Sequence, residues 1–217
     1  MSKLWIVGCS ISHGIGVDTD QRWGHILSQQ LDLVPTFLTA EGSSIEWAAD
    51  QILQANIQQN DFVCWGLTTP NRSLWYNDLG EPQHVLNVYY QTRPEFQHTL
   101  DQRHLVESNL AYKAVNYVKQ VQNYLDKIKC QYVIGSMLPG LEQHQKIILQ
   151  HLETNSNFCV MYNFERVKFV DLATFFSISK PVYNLFEDTG SDQFHPGPKQ
   201  HKLYAEQFLK CLHKQKL

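Results

Sequence analysis

The sequence of 217 residues lacks the features that mark several large classes of protein. Its net charge is only −3, so it offers no extended positive field to a nucleic acid. No uninterrupted apolar stretch approaches the roughly 18 residues of a membrane-spanning helix. The opening residues, MSKLWIVG, hold too short an apolar run for the core of a secretory signal. We therefore expect a soluble, cytoplasmic protein that does not bind nucleic acid and has no membrane-spanning segment.

Cysteine pairs and metal-binding motifs are also missing. The ten histidines are scattered and form no H-E-x-x-H motif. No glycine-rich phosphate loop follows an apolar run, which disfavours a nucleotide-binding protein. A disulfide framework and a cysteine-rich zinc site are both disfavoured, because no C-x-x-C spacing occurs among Cys9, Cys64, Cys130, Cys159 and Cys211. We predict no metal and no cofactor.

Short apolar runs alternate with amphipathic segments along most of the chain. The apolar runs predict strands at 4–7, 34–38, 62–65, 132–134 and 167–170. The amphipathic segments predict helices at 23–31, 45–57, 105–128, 141–152 and 199–212. This alternation predicts an α/β protein, a three-layer α/β/α sandwich around a mostly parallel sheet of about five strands. The length fits a single domain, 1–217, with a long insertion at about 67–104.

Three of the predicted strands run directly into a glycine: Gly8, Gly66 and Gly135. Ligands of parallel sheets bind outside the carboxyl ends of the strands, so the segments after these glycines are expected to line the site. At the first strand exit, Gly8-Cys9-Ser10 presents a hydroxyl to that crevice. A short helix after it would also aim backbone N–H groups there.

A second candidate motif lies near the other end of the chain. Asp192-Gln193-Phe194-His195 directly precedes the last predicted helix. A histidine in this position can reach the same crevice, and an aspartate three residues earlier can hold its imidazole by a hydrogen bond. A serine at a first strand exit together with Asp-x-x-His before a last helix indicates nucleophilic catalysis far better than either motif alone.

These motifs resemble the blocks of the SGNH (GDSL-like) hydrolases, in the expected order and over nearly the whole chain. The family's first block, GDS, is matched by Gly8-Cys9-Ser10, as in a divergent branch with GCS, and its last block, DxxH, by Asp192 and His195. The glycine of the second block corresponds to Gly42. The third block, usually GxND, is altered here to Gly66-Leu67-Thr68-Thr69.

The resemblance implies an ester hydrolase with a Ser-His-Asp triad: Ser10 as nucleophile, His195 as base and Asp192 as its orienter. It also implies an oxyanion hole made of the backbone N–H groups of Ser10 and Gly42. Thr68 falls at the place of the usual asparagine, and the third donor is left open among Thr68, Thr69 and Asn71. Further candidates for substrate contact are Thr69, Asn71, Arg72 and Trp75. The expected substrate is a small-molecule or glycan acyl ester, such as an O-acetylated carbohydrate.

Other interpretations stay open from the sequence. Cys9 is an alternative nucleophile, and Asp188 is an alternative orienter. An acyltransferase would use the same triad with a different acceptor. A catalytically degenerate member, which the altered third block favours, would bind a glycan or a protein in the crevice. The sequence specifies neither the acyl group nor the alcohol part of the substrate, nor the oligomeric state.

Overall fold

The computed structural model describes residues 2–70, 72–76, 79–80, 82–86, 107–137, 142–161 and 186–214. The strands of these residues are β1 (Lys3–Gly8), β2 (Val34–Thr39), β3 (Phe62–Leu67), β4 (Arg72–Tyr76), β5 (Pro82–Leu86), β6 (Gln131–Ser136) and β7 (Phe158–Val160). The helices are α1 (Ser10–His13), α2 (Trp23–Leu31), α3 (Ile45–Gln54), α4 (Glu107–Lys127), α5 (Glu142–Leu152) and α6 (Pro198–Lys214).

Five strands form one sheet in the order β2-β1-β3-β6-β7, and every neighbouring pair is parallel. The predicted α/β fold with a mostly parallel five-stranded sheet is thereby confirmed. Because the strands are parallel, their carboxyl ends meet at one edge of the sheet. The loops that leave β2, β1 and β3 therefore start side by side.

Helices cover both faces of the sheet, which makes the three layers. Along β1, Leu4 and Ile6 face a core cluster shared with α2 and α6. The alternate residues, Trp5 and Val7, face a second cluster shared with α3, α4 and α5. Burial on both faces explains why the strands are continuous apolar runs rather than alternating ones. No helix in the described ranges is both long and apolar enough to cross a bilayer.

Helix α3 is shorter than predicted. It begins where Ser44 accepts a hydrogen bond from the Trp47 N–H at 3.1 Å, which makes Ser44 its N-cap. The predicted end at residue 57 is wrong, because Ala55 has an extended backbone and ends the helix after Gln54. Ile57 is nevertheless buried in the same core. Its spacing from the apolar residues of α3 therefore arises from burial, although Ile57 lies outside the helix.

Two further features were not predicted from the sequence. The fifth strand of the sheet is β7, whose Cys159 pairs with Gly135 of β6. The strand predicted at 167–170 lies outside the described residues. The insertion at 67–104 is not loop throughout, since β4 and β5 form an antiparallel hairpin within it.

Candidate active site

A row of three glycines crosses the sheet where the site is expected. Gly8, Gly66 and Gly135 stand opposite one another on β1, β3 and β6. A Cβ on Gly8 would collide with Ser12 Oγ and would approach the Gly66 carbonyl oxygen to 2.6 Å. A Cβ on Gly66 would collide with Met137 Sδ. Because these glycines have no side chains, the turn after β1 can pass close to the end of β3.

Ser10 is the first residue of α1, a four-residue helix directly at the exit of β1. Its carbonyl oxygen accepts hydrogen bonds from the N–H groups of Gly14 at 2.9 Å and Ile15 at 3.1 Å. The first N–H groups of a helix have no partner within it. Among the described residues, none accepts a hydrogen bond from the Ser10 N–H. Ser10 thus combines a hydroxyl with a free backbone donor, and only 3% of the residue is exposed.

Cys9 has a different environment from its neighbour. It is buried among apolar residues that include Tyr204 and Phe208 of α6. Consecutive residues at a strand end point to opposite sides, so Cys9 enters the core while Ser10 belongs to the loop edge. The thiol is therefore a core group, which leaves Ser10 as the better-placed candidate nucleophile.

The loop after β2 is fastened to the end of β1. Both the Ala40 N–H and Ser43 Oγ donate to the Gly8 carbonyl oxygen, at 3.3 and 3.1 Å. Gly42 has φ +72°, a left-handed conformation that favours glycine. Its N–H has no acceptor among the described residues. The Gly42 N–H is therefore a second backbone donor that has no acceptor among the described residues. Its loop is hydrogen-bonded to Gly8, which lies two residues before Ser10.

Thr68 occupies the equivalent place after β3. It lies two residues beyond Gly66, as Ser10 lies two residues beyond Gly8, and these glycines pair across β1 and β3. The residue is only 5% exposed, and its Oγ1 has no hydrogen-bond partner in the described structure. A buried hydroxyl without a partner costs roughly 1–3 kcal/mol, so this hydroxyl does not contribute to the stability of the fold.

His195 and Asp192 form a close pair. His195 Nδ1 lies 2.6 Å from Asp192 Oδ2. The other carboxylate oxygen accepts the N–H groups of Phe194 at 3.0 Å and His195 at 3.1 Å. Burial acts to raise the pKa of Asp192, but these three hydrogen bonds outweigh it and hold the pKa below its ordinary value. An ionised acceptor on Nδ1 places the proton there and leaves Nε2 as the basic nitrogen.

The loop that carries this pair packs against the segment that follows α1. Ser191 donates to the Gly16 carbonyl oxygen through its N–H at 2.8 Å and through its Oγ at 3.2 Å. A Cβ on Gly16 would lie 2.9 Å from Asp192 Oδ1. The loop that carries Asp192 and His195 therefore contacts the chain at Gly16, six residues after Ser10. Gly16 was not among the predicted site residues, although the closely spaced Gly14-Ile15-Gly16 was a signal of tight backbone approach.

Asp188 has another role. Its two carboxylate oxygens accept the N–H groups of Lys199 and Gln200, each at 2.9 Å, at the start of α6. This is helix capping, which satisfies N–H groups that the helix itself leaves open. The Asp188 carboxylate therefore caps α6, and Asp192 is the aspartate that lies within hydrogen-bond distance of the His195 ring.

His201 is a buried histidine behind this loop that was not among the predicted site residues. Its Nδ1 accepts the Trp23 N–H at 3.1 Å and so joins α6 to α2. Burial lowers the pKa of His201 to about 4; Asp188 opposes this effect, and the charges of Arg22 and His195 add to it. The ring is neutral in the folded protein and serves as a structural link.

The remaining candidates are only partly described. Arg72 lines a cavity of about 20 Å³ together with Glu46, Lys113 and Tyr117, and its Nη1 is buried without a partner in the described structure. Trp75 belongs to β4, whereas Asn71 lies outside the described residues. Thr69 is half-buried.

The described structure shows no hydrogen bond between Ser10 and His195. Catalytic hydrogen bonds are often long in the absence of substrate and shorten when substrate binds.

Comparison with known proteins gives a result for the fold. No protein-family model matches the sequence, and a comparison with curated proteins found no match. Solved structures do match. A member of the lipolytic G-D-S-L family from Veillonella parvula aligns over 97% of this chain and 97% of its own, with 15% identity and a TM-score of 0.52. This chain has the SGNH hydrolase fold.

Two further structures with this fold bear enzyme names. A psychrotrophic esterase from a Pseudoalteromonas species aligns over 99% of this chain and 98% of its own, with 12% identity and a TM-score of 0.52. An acetyl xylan esterase from Butyrivibrio proteoclasticus aligns over 99% of this chain and 64% of its own, with 14% identity and a TM-score of 0.50. At such identities, the likeness establishes the SGNH fold and not the reaction.

Proposed function

We propose that this protein is a serine esterase that hydrolyses carboxylic esters through a covalent acyl-enzyme formed on Ser10. The observation that carries the proposal is the 2.6 Å pair of His195 and Asp192, in a loop bound to the segment just after the Ser10 helix. The strand exit, the two free N–H groups and the unpartnered Thr68 hydroxyl all fit the same reaction.

The chemistry divides into two acyl transfers. His195 Nε2 takes the proton of Ser10 Oγ as the oxygen attacks the ester carbonyl, and Asp192 stabilises the imidazolium that forms. The negative charge on the tetrahedral oxygen is met by the N–H groups of Ser10 and Gly42 and by the Thr68 hydroxyl. The alcohol leaves with the proton from His195. Water, activated by the same nitrogen, then releases the acid and restores Ser10.

We propose a small acyl ester as substrate, with an O-acetylated carbohydrate as the leading case. The acetyl xylan esterase among the structural neighbours supports this choice. An acyltransferase would share each residue and differ only in using an alcohol rather than water to remove the acyl group.

Labelling with a fluorophosphonate tests the nucleophile. The wild-type protein should be labelled, and Ser10→Ala should not. Cys9→Ala serves as the matched control, because the neighbouring thiol lies in the core and its loss should leave labelling intact. Labelling that survives Ser10→Ala would refute the assignment of Ser10. Labelling that fails only in Cys9→Ala would transfer the role to the thiol.

Turnover tests the reaction itself. Short p-nitrophenyl esters and acetylated xylan should both release acid, with a rate that falls to background in Ser10→Ala. If neither ester is turned over while glycan binding survives His195→Ala, the protein is a binding module with this fold and not an esterase.

A further inference from the structure

The loop that carries the proposed base exposes a large apolar side chain. Phe194 directly precedes His195 and is 59% exposed. Among the described residues, no aromatic ring stacks on Phe194, and it packs against neither core cluster. A phenylalanine stabilises a fold by being buried, so this ring adds little to stability. Ligand sites are lined mainly by apolar and aromatic side chains, which makes an exposed ring next to the proposed base a candidate contact for the substrate.

The backbone of this loop fixes the place of Phe194 relative to the base. Asp192 Oδ1 accepts the N–H groups of Phe194 at 3.0 Å and of His195 at 3.1 Å. The Gly190 N–H donates to the His195 carbonyl oxygen at 2.8 Å, and the Gln193 N–H donates to the Gly190 carbonyl oxygen at 3.0 Å. Phe194 and His195 are therefore fastened to the same turn and to the same carboxylate oxygen.

This turn contains an unfavourable backbone conformation. Gln193 has φ +62°, in the left-handed region that residues with a Cβ avoid. Two other described residues that are not glycine share this region, Asp32 and Lys129, and both directly follow a helix, where such a conformation is common. Gln193 follows no helix. Strained residues of this kind concentrate at functional sites, and this one sets the direction in which the chain leaves Asp192 and presents Phe194.

The proposed reaction decides which part of the substrate meets the ring of Phe194. His195 Nε2 gives a proton to the alcohol oxygen as it leaves, so that oxygen must come within roughly 3 Å of Nε2. The carbonyl oxygen of the ester instead faces the N–H groups of Ser10 and Gly42. The acyl group is therefore held at the strand exits, whereas the alcohol part lies at the loop of His195, beside Phe194.

We propose that Phe194 is a specificity-determining residue, whose ring packs against the apolar face of a ring-shaped alcohol part, either a sugar ring or an aryl ring. This inference rests on the esterase reaction proposed above. The face of an aromatic ring carries partial negative charge and attracts the C–H groups of such a ring. Removal of both apolar surfaces from water adds to the attraction. An open-chain alcohol such as ethanol offers too little surface to benefit.

Kinetics on three acetate esters test the contact, because all three form the same acetyl-enzyme and differ only in the alcohol. Phe194→Ala should lower kcat/KM about ten-fold for phenyl acetate and for an O-acetylated methyl xyloside, and should leave ethyl acetate within about two-fold of wild type. Phe194→Tyr keeps the ring and should behave like wild type. Val34→Ala, the matched control, removes an apolar side chain that is 51% exposed at the amino end of β2 and should change none of the three rates.

The pattern of losses separates the outcomes. A loss with only one of the two ring esters would assign the contact to that ring, sugar or aryl. An equal loss with all three esters would show that Phe194 only supports the loop of His195. No loss with any ester would show that the ring does not touch the substrate. Either of the last two results would overturn the proposal.

Saturation-transfer NMR on phenol and methyl xyloside gives a second measurement that needs no turnover. The wild-type protein should transfer saturation to the ring protons of at least one of these alcohols, and Phe194→Ala should transfer much less. Equal transfer in the two proteins, or none in either, would overturn the contact at Phe194. A difference between them in a protein that hydrolyses no ester would instead refute the proposed reaction and leave the ring contact in place.

Discussion

The two halves of the candidate site are built in different ways. Asp192 and His195 satisfy each other within one short loop, through hydrogen bonds between residues no more than three apart. Ser10, Gly42 and Thr68 follow three different strands, and only the parallel sheet brings them together. The proposed base is therefore a local motif, whereas the proposed nucleophile and oxyanion donors are placed by the fold.

This difference decides what the sequence could reveal. Asp192 and His195 were recognisable because their spacing alone sets their contact. The family's third block was altered, so nothing in Thr68-Thr69 disclosed a buried hydroxyl without a partner in the described structure. That property depends on every neighbour of Thr68 in space, and it appears only in the folded chain.

The same reasoning applies to the secondary structure. The apolar runs of β1 and β3 and the amphipathic pattern of α4 were predicted well, because burial imposes both kinds of pattern. The three-residue strand β7 was missed because so short a segment carries no readable alternation. The β4–β5 hairpin was missed because its polar and aromatic residues show no clear period.

The largest effect is expected on the local side of the site, from Asp192→Asn. The amide keeps an oxygen for the backbone N–H groups but donates to the ring of His195, which fixes the wrong tautomer. We expect kcat to fall about 10⁴-fold with little loss of stability. Ester turnover and thermal unfolding measure the two quantities. Asp188→Asn, which changes only the helix cap, should retain most activity; equal losses in both variants would contradict the assignment.

The next largest effect concerns the fold-built side. Thr68→Val should lower kcat by about 10²–10³-fold, because one oxyanion donor is lost. The same change should raise the free energy of unfolding by about 1 kcal/mol, because it removes a buried hydroxyl that has no partner among the described residues. Thr68→Ser keeps the hydroxyl and should retain activity. A valine variant with normal kcat would remove Thr68 from the site.

The link between α6 and α2 should make stability depend on pH. His201 has a folded pKa of about 4 against an ordinary value of 6.5, so the unfolded chain binds more protons between these values. The contribution of the neutral His201 ring to the free energy of unfolding is complete above pH 6.5 and is lost progressively as the pH falls toward 4. The loss should amount to roughly 3 kcal/mol. Urea unfolding of wild type and His201→Gln at several pH values measures it, and parallel curves for the two proteins would contradict the role of this ring.

The smallest effect is expected at Gly16, where the loop of Asp192 and His195 packs against the segment that follows α1. Gly16→Ala places a Cβ 2.9 Å from Asp192 Oδ1 in a residue with φ +85°. Gly80 has φ +76°, and a Cβ added there would meet nothing within 4 Å, so Gly80→Ala shows the backbone cost alone, about 1–2 kcal/mol. Gly16→Ala should lose more stability than this control and should also lower kcat. Thermal unfolding and ester turnover of both variants measure the difference, and identical behaviour would mean that Gly16 does not hold Asp192.

The glycine row also determines how the core is packed at this end of the sheet. Because Gly8, Gly66 and Gly135 contribute no side chains, the space beside them is filled by the buried side chains of Ser12, Met137 and Met161. Met137 and Met161 belong to the core cluster that the sheet shares with α2 and α6. A side chain added at any of the three glycines would have to displace one of these residues, so the row sets how closely that core closes on the strand ends.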